Sequence, residues 1–130
     1  MVCFLLVAGA AAAQSSKIIQ EKQIKSQTVL EYFLEEGIDE PVIESIEQYN
    51  EQGELVELKE MTRRGEVKKW EKYVYDEDGN LTEELFLDVR GRVEEREVNI
   101  YQEGLRIEKQ FYNNRDQMYK KKVYQYEYRE

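Results

Sequence analysis

Short apolar–charged alternations, each closed by the same kind of turn, fill the chain from residue 49 onward. An aromatic or apolar residue is followed by three residues, a Gly, one more residue, and then Leu or Val. "YNEQGEL" spans 49–55, "MTRRGEV" 61–67, "YDEDGNL" 75–81 and "LDVRGRV" 87–93. "YQEGL" at 101–105 is a shortened copy, and "YNNRDQM" at 112–118 has Asp where Gly stood. Successive copies start 12, 14, 12, 14 and 11 residues apart. Periods this short fit one strand and one turn each, not a helical solenoid.

The glycine has a physical reason. A three-residue hairpin loop is commonly a type I turn followed by a residue in the left-handed region. Gly enters that region without steric cost, and Asn or Asp follow. The spacing therefore predicts left-handed residues at Gly53, Gly65, Gly79, Gly91 and Gly104, with Asp116 as the tolerated substitute. In "YDEDGNL" the loop is Glu77-Asp78-Gly79, with Tyr75 and Leu81 opposite each other.

Spacings of 12 and 14 are even, so the alternation predicts that every copy presents the same face. Leu55, Met61, Val67, Tyr73, Tyr75, Leu81, Leu85, Leu87, Val93 and Tyr101 then share one side. The other side carries Lys68, Lys72, Glu84, Glu94 and Arg96, with Trp70, Val74, Phe86, Val98 and Ile100 between them. The shorter turn near Gly104 demands a compensating bulge between Leu105 and Tyr112. Residues 39–50 fit a helix capped by Asp39 and opened by Pro41, or a strand leading into the first turn. The strand extends the repeat and is preferred. "TVLEYFLEEG" becomes its hairpin partner, with a loop at Gly37 to Pro41, and Gln14 to Lys25 a first strand or a loose leader. The fold class expected is all-β: an antiparallel meander of repeated short hairpins, eight to ten strands, in a single-layer or curled open sheet.

The N-terminus carries an address. An apolar run from Val2 to Ala13 ends in Ala11-Ala12-Ala13 before Gln14, a hydrophobic region with a small-residue cleavage signature. The run is too short to span a bilayer as a helix. Residues 1–13 thus read as a signal peptide, and 14–130 as one β-repeat domain whose first stretch, 14–27, is a possible leader. The expected location is periplasmic or secreted.

Composition narrows the chemistry. The 130 residues contain no His and one Cys, Cys3, which removes intramolecular disulfides, His-based triads and Cys- or His-rich metal sites. The formal charge is −9, from 28 acidic and 19 basic side chains, so nucleic acid is a poor partner. Lys120-Lys121-Lys122 is the one locally basic run singled out, and a solvated strand end explains it. The Asp76–Asn80 loop has the oxygens of a calcium loop, but the twelfth position from Asp76 is Leu87, where an EF-hand needs a carboxylate. Turn chemistry accounts for its residues, so no metal and no cofactor is expected.

The pattern Y-[DN]-x-x-G-x-[LV], best seen at Tyr49–Gly53 and Tyr75–Gly79, resembles the Tyr-Asp (RHS-type) repeats. It is also similar to the MORN-variant hairpin repeats of secreted bacterial proteins, including small Bacteroidota-type proteins. The resemblance covers roughly residues 49–128 and implies hairpin architecture. RHS shells use many more repeats, and the second Gly pair of MORN repeats is missing here.

Trp70, Tyr73, Tyr75, Tyr124, Tyr126 and Tyr128 are the candidate ligand or partner surface, because aromatic rings on a sheet bind sugars and peptides. Trp70 falls on the face opposite Tyr73 and Tyr75. Glu83-Glu84 and Glu94-Glu95 are adjacent, so each pair points to opposite faces and cannot serve as acid and base. The expectation is a non-enzymatic protein binding a protein or glycan partner in the cell envelope through a sheet face or edge, with homo-oligomers by either route. An immunity- or antitoxin-like protein and a carboxylate-dependent glycan-active enzyme are the alternatives.

Overall fold

The computed structural model describes residues 15–37 and 39–130. The apolar run and its cleavage signature lie outside the described residues. Eight strands form one antiparallel sheet in chain order: β1 (Ser26–Glu31), β2 (Val42–Tyr49), β3 (Leu55–Met61), β4 (Val67–Tyr75), β5 (Leu81–Leu87), β6 (Val93–Gln102), β7 (Leu105–Tyr112) and β8 (Met118–Val123). Each strand pairs with its neighbours in sequence, and the sheet is not closed. The chain is therefore an all-β meander. Residues 42–49 are a strand. Residues 16–21 are not: they form a short helix, α1 (Ser16–Glu21), whose N-cap Ser15 accepts the Ile18 N–H at 3.3 Å. Between β1 and β2 the chain makes one 3-10 turn at Leu34–Glu36.

Five turns share one internal wiring. The first loop side chain, Asn50, Thr62, Asp76, Asp88 or Asn113, accepts the N–H of the residue four positions on, at 2.9–3.1 Å. That oxygen replaces a backbone partner the turn cannot supply. The left-handed residue follows, with φ from +81° to +86° at Gly53, Gly65, Gly79 and Gly91, and +59° at Asp116. The short turn differs. Glu103 and Gly104 both have positive φ, +51° and +82°, between the paired Gln102 and Leu105. That is a two-residue mirror-type hairpin.

Every hairpin also carries a register shift, and this overturns the single-face expectation. Tyr75 pairs with Leu81 but Val74 pairs with Glu83, so Thr82 is an extra residue. The same arithmetic leaves Val56, Lys68, Glu94, Ile107 and Tyr119 unpaired on the returning strand of their hairpins. Ile107 is a bulge between Leu105 and Tyr112, but it is the one every hairpin carries, and it leaves Tyr112 on the face opposite Tyr101 instead of restoring a shared face. A bulge reverses the alternation of faces. Leu55, Tyr73, Tyr75, Leu81 and Tyr101 do share a face. Met61, Val67, Leu85, Leu87 and Val93 lie on the other.

The true period is therefore two strands. Leu55, Leu81 and Arg106 open equivalent hairpins that turn at Gly65, Gly91 and Asp116. They end at Tyr75, Tyr101 and Tyr126, whose hydroxyls donate to the carbonyls of Leu55, Leu81 and Arg106 at 2.8, 2.9 and 2.5 Å. A second contact repeats in different chemistry. Trp70 Nε1 donates to Glu57, Arg96 to Glu83, and Lys121 reaches Glu108, at 2.7, 3.4 and 3.8 Å.

Burial separates the faces. Leu58, Tyr73, Leu81, Asn99 and Phe111 are buried, and the register puts all five on one face, the packed face. Leu58, Tyr73 and Leu81 form its centre, with Leu55 and Tyr75 against them. On the other, open face Leu30, Ile43, Val74, Val93, Ile100, Met118 and Val123 stay exposed. Side-chain stems of Glu, Lys and Arg cover what a second layer would otherwise cover.

Candidate binding surface

The six aromatic candidates do not form one platform. Tyr73 is 3% exposed on the packed face, and its hydroxyl donates to Glu71 at 2.5 Å. Burial pushes that hydroxyl well above the ordinary tyrosine range, and the Glu71 carboxylate adds to the rise. Tyr75 is spent on the Leu55 carbonyl. Tyr124 and Tyr126 follow β8 on the same face by alternation. Four strand spacings separate them from Tyr73 and Tyr75, about 19 Å. The Arg106 guanidinium lies 4.4 Å from the Tyr124 ring centre, and Tyr126 donates to the Arg106 carbonyl. Tyr128 is exposed.

Trp70 stands on the open face, as its parity requires. Lys59 Nζ lies 4.1 Å above its ring, and the ring edge rests against the Gly91 turn. A shallow depression of about 270 Å³ beside it is lined by Val67, Leu87, Val89, Lys69 and Glu94 among others. Trp70 therefore braces one hairpin on the next while offering an edge to solvent.

The packed face holds a carboxylate–amine cluster that spacing alone does not reveal. Glu84 and Glu97 sit directly opposite each other on β5 and β6. Like charges in that position repel. Lys109 bridges them, 2.8 Å from Glu97 and 3.6 Å from Glu84. Burial raises the Glu84 carboxyl above the ordinary glutamate range, and Lys109 offsets this only in part. Burial pulls Lys109 down, yet its two carboxylates hold it above the ordinary lysine value. The distances explain why both groups shift upward: Lys109 belongs chiefly to Glu97, and Glu84 takes the remainder. The adjacent Glu83 lies on the opposite face, bonded to Arg96.

The Asp76 loop spends its oxygens internally. One carboxylate oxygen accepts the N–H groups of Asp78 and Asn80, and the other the Asn80 amide. The Asn80 backbone bond chiefly holds this carboxyl below the usual aspartate range. Among the described residues no group of three or more metal-binding side chains converges.

At the C-terminal edge, Phe111 is 6% exposed beneath a cluster of cations. Lys120 Nζ is 4.1 Å from its ring centre, and Lys109 and Lys122 are each 5.5 Å away. The rings of Phe111 and Tyr119 are tilted at 6.3 Å, and the Tyr119 hydroxyl donates to Glu95. All six residues of β8 are exposed. The lysine run was visible in the sequence, but its place on an edge strand over a buried ring was not. The sums of neighbouring turn spacings, 26, 26, 26 and 25, were the signal that would have aligned Phe111 with Phe86 and Lys121 with Trp70.

No protein-family model matches the chain, and no curated protein matches it. Among the described residues no helix is long and apolar enough to cross a membrane.

Proposed function

We propose that the protein is a non-enzymatic binding module that acts outside the cytoplasm and engages a protein or glycan partner through its sheet. One observation carries this reading: a single-layer sheet keeps apolar side chains exposed on one face and, among the described residues, has open strands at its two ends. Edge strands present backbone donors and acceptors, and exposed apolar patches on a sheet suit association. The signal-like run at Val2–Ala13 supports the location, and the hairpin-repeat resemblance agrees with it. The test is affinity capture with immobilised protein from envelope extract, followed by glycan arrays. A retained protein or glycan that binds the purified chain saturably supports the reading. Failure of both assays contradicts it.

A further inference from the structure

We propose that the partner binds at β8, by adding an acidic, extended segment as a ninth antiparallel strand. The proposal rests on the binding reading above and names its site and the partner's chemistry.

Three observations carry it. The first is the free backbone. Among the described residues β8 pairs only with β7. The Tyr124 N–H donates to the Ile107 carbonyl, and alternate residues of a strand direct their amides the same way. Lys120 and Lys122 therefore bond inward, and Lys121 and Val123 turn their N–H and C=O groups outward. The second is charge on both sides of that edge. Lys120 and Lys122 share the packed face with Lys109 around one phenyl ring, and Lys121 projects from the open face. Among the described residues no carboxylate lies within ion-pair distance of Lys120 or Lys122, and Lys121 reaches Glu108 only at 3.8 Å. Cations crowded around one ring repel each other, and an incoming carboxylate relieves that repulsion.

The third is polarity across the sheet. Residues 26–60 carry eleven acidic side chains and one lysine, whereas residues 105–130 carry seven basic and four acidic ones. The β8 end is thus the basic end of a chain whose net charge is −9. Its field attracts an acidic segment and orients it on approach. Consecutive lysines occupy both faces, so the complementary strand carries acidic residues at consecutive positions. Lysines on an edge also deter pairing with basic strands and with a second β8. The same charges that exclude those strands select an acidic one.

The full chain is titrated with a short peptide of alternating threonine and valine around a central run of glutamates. Binding is read by fluorescence anisotropy, together with amide exchange at Lys121 and Val123. The expected result is saturable binding that slows exchange at both amides. Replacing the glutamates by glutamine weakens it roughly tenfold, the sum of several cross-strand charge pairs. N-methylation of the peptide's edge-facing amides abolishes it. The variant K120E/K121E/K122E changes only exposed side chains; it loses the glutamate peptide and gains a lysine counterpart. Binding that survives N-methylation, ignores the charge reversal or does not occur overturns the proposal. Self-association of the protein that disappears in the variant would name a second copy's acidic segment as the added strand, and supports the site. If a partner captured from envelope extract is held equally by the variant, the edge assignment falls while the binding reading stands. If neither protein retains anything, the binding reading falls.

Discussion

Gly53 and Gly65 adopt the same left-handed backbone in different surroundings, with φ of +81° and +86°. A Cβ on Gly65 meets nothing within 4 Å, so Gly65→Ala costs only the conformational penalty, about 1–2 kcal/mol. A Cβ on Gly53 would lie 2.2 Å from the Ser16 carbonyl oxygen and 2.9 Å from the Gln20 nitrogen, both backbone atoms of α1. Gly53→Ala must therefore displace the helix as well, and it costs more than Gly65→Ala in denaturant unfolding. Equal losses would show that α1 does not rest on this turn. The turn role of both glycines was legible, because the spacing from an aromatic or apolar residue to Gly four positions on, Tyr49 to Gly53 and Met61 to Gly65, states the need for positive φ locally. The second role of Gly53 was not. It depends on α1, where the sequence offered only a strand or a loose leader, and a six-residue helix carries too little periodicity to announce itself.

At the scale of the element, the hairpin is the repeating object, and its open end is tied by a tyrosine. Tyr75 donates to the Leu55 carbonyl. The Leu81 carbonyl accepts from Tyr101 and also from the Asn99 amide, at 3.0 Å. Tyr75→Phe is expected to lower stability by about 1 kcal/mol, the net value of one hydrogen bond, and Tyr101→Phe by less because Leu81 keeps a donor. Chemical unfolding of the two variants checks this, and the reverse order would contradict the tie. Antiparallel order and the strand at residues 42–49 were readable from turn spacing, which left the count at eight to ten. The faces were misread for one physical reason. Even spacing preserves a face only while register is regular, and each hairpin hides one extra residue. Two bulged hairpins restore the phase, which is why equivalence appears at two strands and not at one. Trp70 and Tyr73 lie on opposite faces as simple alternation within β4 requires, so their separation owes nothing to the bulges and was legible from spacing.

For the whole molecule, the open sheet and its charge polarity set the behaviour. A meander makes its strand pairings between sequence neighbours, so among the described residues no long crossover protects either edge. The acidic β1–β3 end and the basic β7–β8 end were both present in the sequence, but they became opposite poles only once strand order was known. The carboxylate–amine cluster of Glu84, Glu97 and Lys109 was illegible for a similar reason, since its members come from three strands. Amide hydrogen exchange on the free protein, resolved by residue, reads whether the β8 edge of this open sheet is available. Inward amides of β8, such as Lys122, should exchange slowly with those of β2–β7, while Lys121 and Val123 exchange at rates near those of unstructured chain. Strong protection of Lys121 and Val123 in the free monomer would mean that the edge is already covered and cannot take a ninth strand.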